Sequence, residues 1–175
     1  MKHFDYIYDI ATDNYGIVTA AQAREEGIAG AELNRWCKNG WLDRRGQGVY
    51  KLTRWVPTPY DSYAEALALV GEGSYLRGES VLAMHDLALV DPRTFEVAAP
   101  RRVRRNLPPW VEPVPARKGE RTTFYDGIRS QRVADAIREC RSFVMPDRLA
   151  DAARKARQEG LITAREYEDL EKELA

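Results

Sequence analysis

Apolar residues recur at three- and four-residue spacing from the start of the chain, and that rhythm predicts a first helix. Phe4, Ile7, Tyr8 and Ala11 share one face of a helix over His3–Asp13. Asn14-Tyr15-Gly16 ends it, with Gly16 in the left-handed position that follows many helices. Thr19-Ala20-Ala21-Gln22 spells a capping box: the Thr19 hydroxyl accepts from an early helix amide while Gln22 reaches back to the Thr19 amide. The second helix is short, Ala20 to Glu26, and Gly27 stops it. A third runs from Gly30 to Asn39. Leu33, Trp36 and Cys37 line one face; Glu32, Asn34, Arg35, Lys38 and Asn39 surround the others. Trp41–Arg45 and Val49–Leu52 are β-prone runs on either side of Gly46-Gln47-Gly48, which predicts a hairpin with a basic, flexible tip.

The rhythm then breaks. Residues 53–59, TRWVPTP, hold two prolines and no helical period, and read as a link between residues 1–56 and a second domain over 57–175. The second part predicts a helix from Tyr60 to Val70 with Tyr63, Ala66, Leu67 and Val70 inward, and another from Glu79 to Leu87. Phe95–Ala98 alternates as a strand. The proline-bearing stretch from Arg101 to Pro113 reads as a sheet edge or a loop, since proline cannot donate to a ladder. Thr122–Tyr125 is strand-like and Asp126-Gly127 a turn. Three helices close the chain: Arg132–Cys140, Asp147–Gln158 and Ala164–Leu174, the last with its own capping box from Thr163 to Glu166. Gly160-Leu161-Ile162-Thr163-Ala164 echoes Gly16-Ile17-Val18-Thr19-Ala20, as shared local grammar and not as a duplicated domain. The predicted fold class is α+β: an N-terminal winged helix-turn-helix plus a mixed α/β C-terminal domain ending in helices.

Composition narrows the functional classes. With 44% apolar and 31% charged residues, the 175-residue chain is globular rather than disordered. No apolar run is long enough to cross a bilayer, and the opening MKHFDYIYDI lacks the apolar core of a signal peptide, so a soluble cytoplasmic protein with no membrane partner is expected. The 27 basic and 27 acidic residues cancel, yet they are segregated. Residues 30–56 hold six Lys/Arg against two Asp/Glu, and residues 101–121 hold seven against two. Such segregation makes local positive faces that can neutralise phosphates. Cys37 and Cys140 form no CxxC pair, and His3 and His85 are isolated, so no metal or cofactor is expected. No phosphate loop, nucleophile elbow or dinucleotide fingerprint is present, and no catalytic residue is assigned.

In a winged helix-turn-helix the second helix braces the third, whose polar face enters the major groove while the hairpin reaches the adjacent backbone. The candidate DNA-binding set is Thr19, Gln22, Asn34, Arg35, Lys38, Arg44, Arg45, Gln47 and Lys51. Asn34 can pair with base edges, Arg35 with guanine or phosphate, and Lys38 with phosphate as a point charge. Arg44, Arg45 and Lys51 charge the wing, and Gln47 sits at its tip. Arg35 has an alternative partner in Glu32, one helical turn away. The competing reading is a protein-interaction module that neutralises a partner by direct binding without specific DNA recognition.

The stretch GIVTAAQAREEGIAGAELNRWCKNGWLDRRGQGVYKL resembles the N-terminal domain of the AbiEi-type antitoxins of type IV (abortive infection) toxin–antitoxin systems, through TAAQAREEGI, LNRWCKNGWL and RRGQGVYKL. GESVLAMHDL and FYDGIRSQRVADAI resemble that family's second domain. The resemblance implies a repressor that binds repeats in its own promoter, often with cooperative self-association on the DNA. It also implies a cognate nucleotidyltransferase-like toxin, counteracted without need of a stable complex. A second basic surface is expected from Arg101, Arg102, Arg104, Arg105, Arg117 and Lys118, as a further DNA contact or a docking face for an acidic toxin.

Overall fold

The computed structural model describes residues 2–175 and has the expected α+β fold. The chain forms two compact units: residues 1–72 with 103–107, and residues 73–102 with 108–175.

The first unit begins α1 (Lys2–Thr12), β1 (Ile17–Thr19), α2 (Ala20–Glu25), α3 (Gly30–Lys38), β2 (Leu42–Gly46) and β3 (Val49–Leu52), an arrangement consistent with a winged helix. Its strands form one antiparallel sheet in the order β1-β3-β2. The turn into β1 depends on Gly16, at φ +76°: a side chain there would meet the Trp55 ring at 2.6 Å. The helices and one sheet face share a core that includes Ile7, Val18, Leu33, Trp36, Tyr50 and Leu52. Phe4 stacks edge-on against Trp36 at 5.3 Å, which ties α1 to α3.

Strand alternation directs Ile17 and Val49 to the opposite face from Val18 and Tyr50, yet both are buried. The element that covers this second face is α4 (Asp61–Val70), which packs on β1. The compact units therefore divide elsewhere than the 56/57 boundary read from the prolines. Trp55, within the expected link, packs against the first unit's core, and α4 is part of that unit. The inward face of α4 also differs from the expected one. Asp61, Ala64, Glu65, Ala66, Leu69 and Val70 are buried, whereas Tyr63 and Leu67 are only half-buried. The stripe is rotated because two carboxylates point inward.

The second unit holds a five-stranded mixed sheet in the order β6-β5-β4-β8-β7. Its strands are β4 (Tyr75–Leu76), β5 (Phe95–Ala99), β6 (Val111–Pro115), β7 (Thr122–Tyr125) and β8 (Ile128–Gln131). Proline-bearing β6 lies at an edge, where a missing donor is tolerated. The unit's helices are α5 (Glu79–Met84), α6 (Val133–Glu139), α7 (Pro146–Gln158) and α8 (Ala164–Leu174). Helix α5 ends three residues earlier than expected, and the chain continues through positive φ at Asp86, Ala88 and Leu89. The capping boxes of α2 and α8 are both present, and Gly16 and Gly160 both have positive φ. Only the first copy of this grammar makes a strand, because Ile17–Thr19 pairs with β3.

Candidate nucleic-acid interface

Helix α3 is anchored through Leu33 and Trp36, which are 1% and 3% exposed. Its other sides carry Asn34, Arg35 and Lys38, all exposed. Arg35 approaches Glu32 at 3.6 Å, the alternative pairing anticipated from their spacing. Glu32 also contacts His3 Nδ1 at 3.0 Å, and this hydrogen bond holds the Glu32 carboxyl below its ordinary range. Cys37 is half-buried, and burial raises its thiol pKa. Cys140 in the second unit is fully buried, and burial pushes its thiol up to about 12.

The β2–β3 hairpin has two differently charged faces. Register pairs Arg44 with Tyr50, Asp43 with Lys51 and Gly46 with Val49, with an irregularity between Arg44 and Gly46 that adds Arg45 as an extra residue. Arg44 is exposed, and its Nε makes a long 3.5 Å approach to the Gly46 carbonyl. Gln47 is exposed at the tip. Arg45 and Lys51 are engaged instead by α4. Arg45 Nε donates to Glu65 Oε1 at 2.8 Å, and Lys51 Nζ donates to Asp61 Oδ2 at 2.9 Å. Glu65 and Asp61 are buried, at 5% and 7% exposure. Burial alone would raise the Asp61 carboxyl, but hydrogen bonds from Thr58 and Lys51 outweigh it and leave the pKa lowered. The Leu69 side chain fills the space that a Gly46 Cβ would occupy.

The candidate set thus separates into three groups. Asn34, Arg35, Lys38, Arg44 and Gln47 are exposed on α3 and the hairpin. Arg45 and Lys51 are ion-paired to α4. Thr19 and Gln22 bond each other: the Thr19 amide donates to Gln22 Oε1 at 2.9 Å, and the Gln22 amide to Thr19 Oγ1 at 3.2 Å. Their side chains brace α2. The apolar period of Tyr60–Val70 does not mark the two carboxylates of α4; the spacing of Asp61 and Glu65, one helical turn apart, is the signal that does.

Residues 5–53 match the family model described as "Transcriptional regulator, AbiEi antitoxin". The matched segment runs from α1 through the hairpin and stops before α4. It therefore contains every exposed residue of the α3–hairpin group and neither carboxylate that pairs with the hairpin. No curated protein matches the chain. No helix among the described residues is long and apolar enough to cross a membrane.

Beyond the AbiEi-matching segment, the arginine run is divided between the units: Arg101 and Arg102 belong to the second, Arg104 and Arg105 to the first. All four are exposed. Arg105 donates to the Leu69 carbonyl at 3.4 Å. Arg117 is ion-paired to Glu139 at 3.0 Å, so it adds less positive charge to the expected second basic surface than its sequence position suggested; Lys118 is exposed. The second unit also buries an arginine that no sequence pattern marks. Arg77, 3% exposed, meets Glu120 at 3.2 Å and Glu139 at 2.8 Å, while Gln131 Nε2 donates to both carboxylates. A buried charge so fully paired holds a polar core in one arrangement.

Proposed function

We propose that the chain is an antitoxin and autoregulator that binds its own promoter DNA through α3 and the hairpin, represses its operon and counteracts a nucleotidyltransferase-like toxin. The observation that carries this reading is the common exposure of Asn34, Arg35, Lys38, Arg44 and Gln47 on a helix anchored by Leu33 and Trp36. An α-helix fits the major groove, where an asparagine amide reads adenine and an arginine reads guanine. Asn34 and Arg35 take the base-reading roles; Lys38 and Arg44 neutralise phosphates and fix the register. The family description of residues 5–53 as a transcriptional regulator and antitoxin supports the same assignment.

Arg104 and Arg105 in the first unit, and separately Arg101, Arg102 and Lys118 in the second, supply further exposed positive charge, suited to a second DNA contact or to an acidic toxin surface. Repression places the protein with DNA in the cytoplasm, and repeated operator sites would favour self-association along the DNA.

The test is a mobility shift with the full chain on its own upstream DNA and on a scrambled duplex, across a salt series. Preferential retention of the upstream DNA is expected, together with repression of a promoter fusion and rescue of cells that express the neighbouring toxin. Rescue without any DNA retention would favour the interaction-module reading instead.

A further inference from the structure

Helix α4 sits on one face of the sheet that carries the hairpin, and it presents carboxylates to two of the hairpin's three cations. We infer that Glu65 and Asp61 are positioning residues of the wing. They tie the hairpin to α4 through Arg45, beside the tip, and Lys51, and withhold those two charges from a polyanion, so that Arg44 is the hairpin's phosphate contact. The inference rests on the DNA-binding reading and refines it.

Three observations converge. The pairs are short, at 2.8 Å and 2.9 Å, and each carboxylate is buried, so the cations are fixed from the protein side. Strand alternation puts Lys51 on the face opposite Tyr50, and the extra residue in β2 allows Arg45 to meet α4 as well. Gly46 and Leu69 close the same contact with apolar packing: any side chain at Gly46 would collide with Leu69. Arg44, opposite Tyr50, is left on the other face and exposed. A carboxylate beside a cation cancels the charge that would displace counterions from DNA. A paired arginine therefore adds little to the salt dependence, whereas an unpaired one adds about 0.9 to the slope of log K against log salt.

The experiment measures anisotropy of a fluorescein-labelled duplex of random sequence with the full chain over a salt series. Arg44→Gln is expected to flatten the slope by about 0.9, and Arg45→Gln to leave it unchanged. Glu65→Gln frees Arg45, so it should steepen the slope by up to about 0.9 and tighten binding at 0.1 M salt by about 5–10-fold. The double variant Arg45→Gln/Glu65→Gln should return to the wild-type slope, which a merely loosened hairpin would not do. Equal flattening by Arg44→Gln and Arg45→Gln would overturn the inference. A DNA-free measurement separates its failure from that of the DNA-binding reading. In the NMR spectrum of the full chain, the Arg45 Nε–H should be protected from solvent exchange and lose protection in Glu65→Gln, while that of Arg44 exchanges freely. An unprotected Arg45 Nε–H contradicts the lock whether or not any duplex binds.

Discussion

Glu65 of α4 accepts a 2.8 Å hydrogen bond from Nε of Arg45 on the hairpin, joining a buried carboxylate to a half-exposed guanidinium. Removing the cation leaves the carboxylate desolvated and without its ion-pair partner, which is the costly way to break such a pair. Arg45→Ala should therefore destabilise the first unit by about 1–2 kcal/mol, a figure reduced from the fully buried case because solvent screens the arginine. Arg44→Ala should stay within about 0.5 kcal/mol of wild type, as surface changes usually do. Urea unfolding followed by tryptophan fluorescence checks both; equal losses would contradict the difference in their surroundings.

The Gly46–Leu69 contact predicts a rescue. Gly46→Ala inserts a methyl group into the space held by the Leu69 side chain and should cost about 1–3 kcal/mol through overpacking. Adding Leu69→Ala should recover part of that loss, although Leu69→Ala alone is destabilising because Leu69 is only 2% exposed. Thermal melts of the three variants measure the coupling; strictly additive effects would show that the two residues do not press on each other.

These contacts mark the limit of what the sequence discloses. The helices of the first unit were legible because capping residues, glycine stops and an apolar period agree at each boundary: Thr19 with Gln22, Gly27, and Leu33 with Trp36. Asn34, Arg35 and Lys38 were legible as an exposed face for the same reason. The three-residue β1 and two-residue β4 were not, since strands so short owe their existence to partners elsewhere in the chain. Nor was the fate of Arg45 and Lys51. Composition gave the hairpin three equivalent cations, and only the pairing register with the fold of α4 distinguishes them.

His85 predicts an acid-sensitive second unit. It is 8% exposed and packs edge-on against Tyr125 at 4.7 Å, and burial lowers its pKa from 6.5 to about 4. As the pH falls, the unfolded chain takes up the proton first. The stabilising contribution of the neutral ring is thus full above pH 6.5 and is lost progressively towards pH 4. The loss amounts to about 3 kcal/mol. Glu96, raised by burial and by nearby Glu139, Glu112 and Glu120, acts with the opposite sign. The comparison that isolates His85 is therefore wild type against His85→Leu, in urea unfolding at neutral pH and near pH 4.5. The variant should show the shallower decline; parallel declines would mean that His85 does not carry it.

Anchor and reader on α3 should fail in different ways. Trp36→Ala removes a 3%-exposed ring from the first unit's core and should cost about 3–5 kcal/mol, abolishing DNA binding with the fold. Asn34→Ala should leave the melting temperature almost unchanged and narrow the preference for upstream over scrambled DNA, by about 1–3 kcal/mol if a bidentate base contact is lost. Circular dichroism melts paired with competition binding distinguish the two outcomes. An Asn34→Ala variant that weakens both duplexes equally would assign Asn34 to the backbone.

The most direct test of the proposed interface is an NMR titration of the isotopically labelled chain with its own upstream duplex. The largest shifts are expected to cluster on Asn34, Arg35, Lys38, Arg44 and Gln47, with small changes at the side chains of Glu65 and Asp61. Shifts confined to residues outside α3 and the hairpin, or none at low salt, would contradict it.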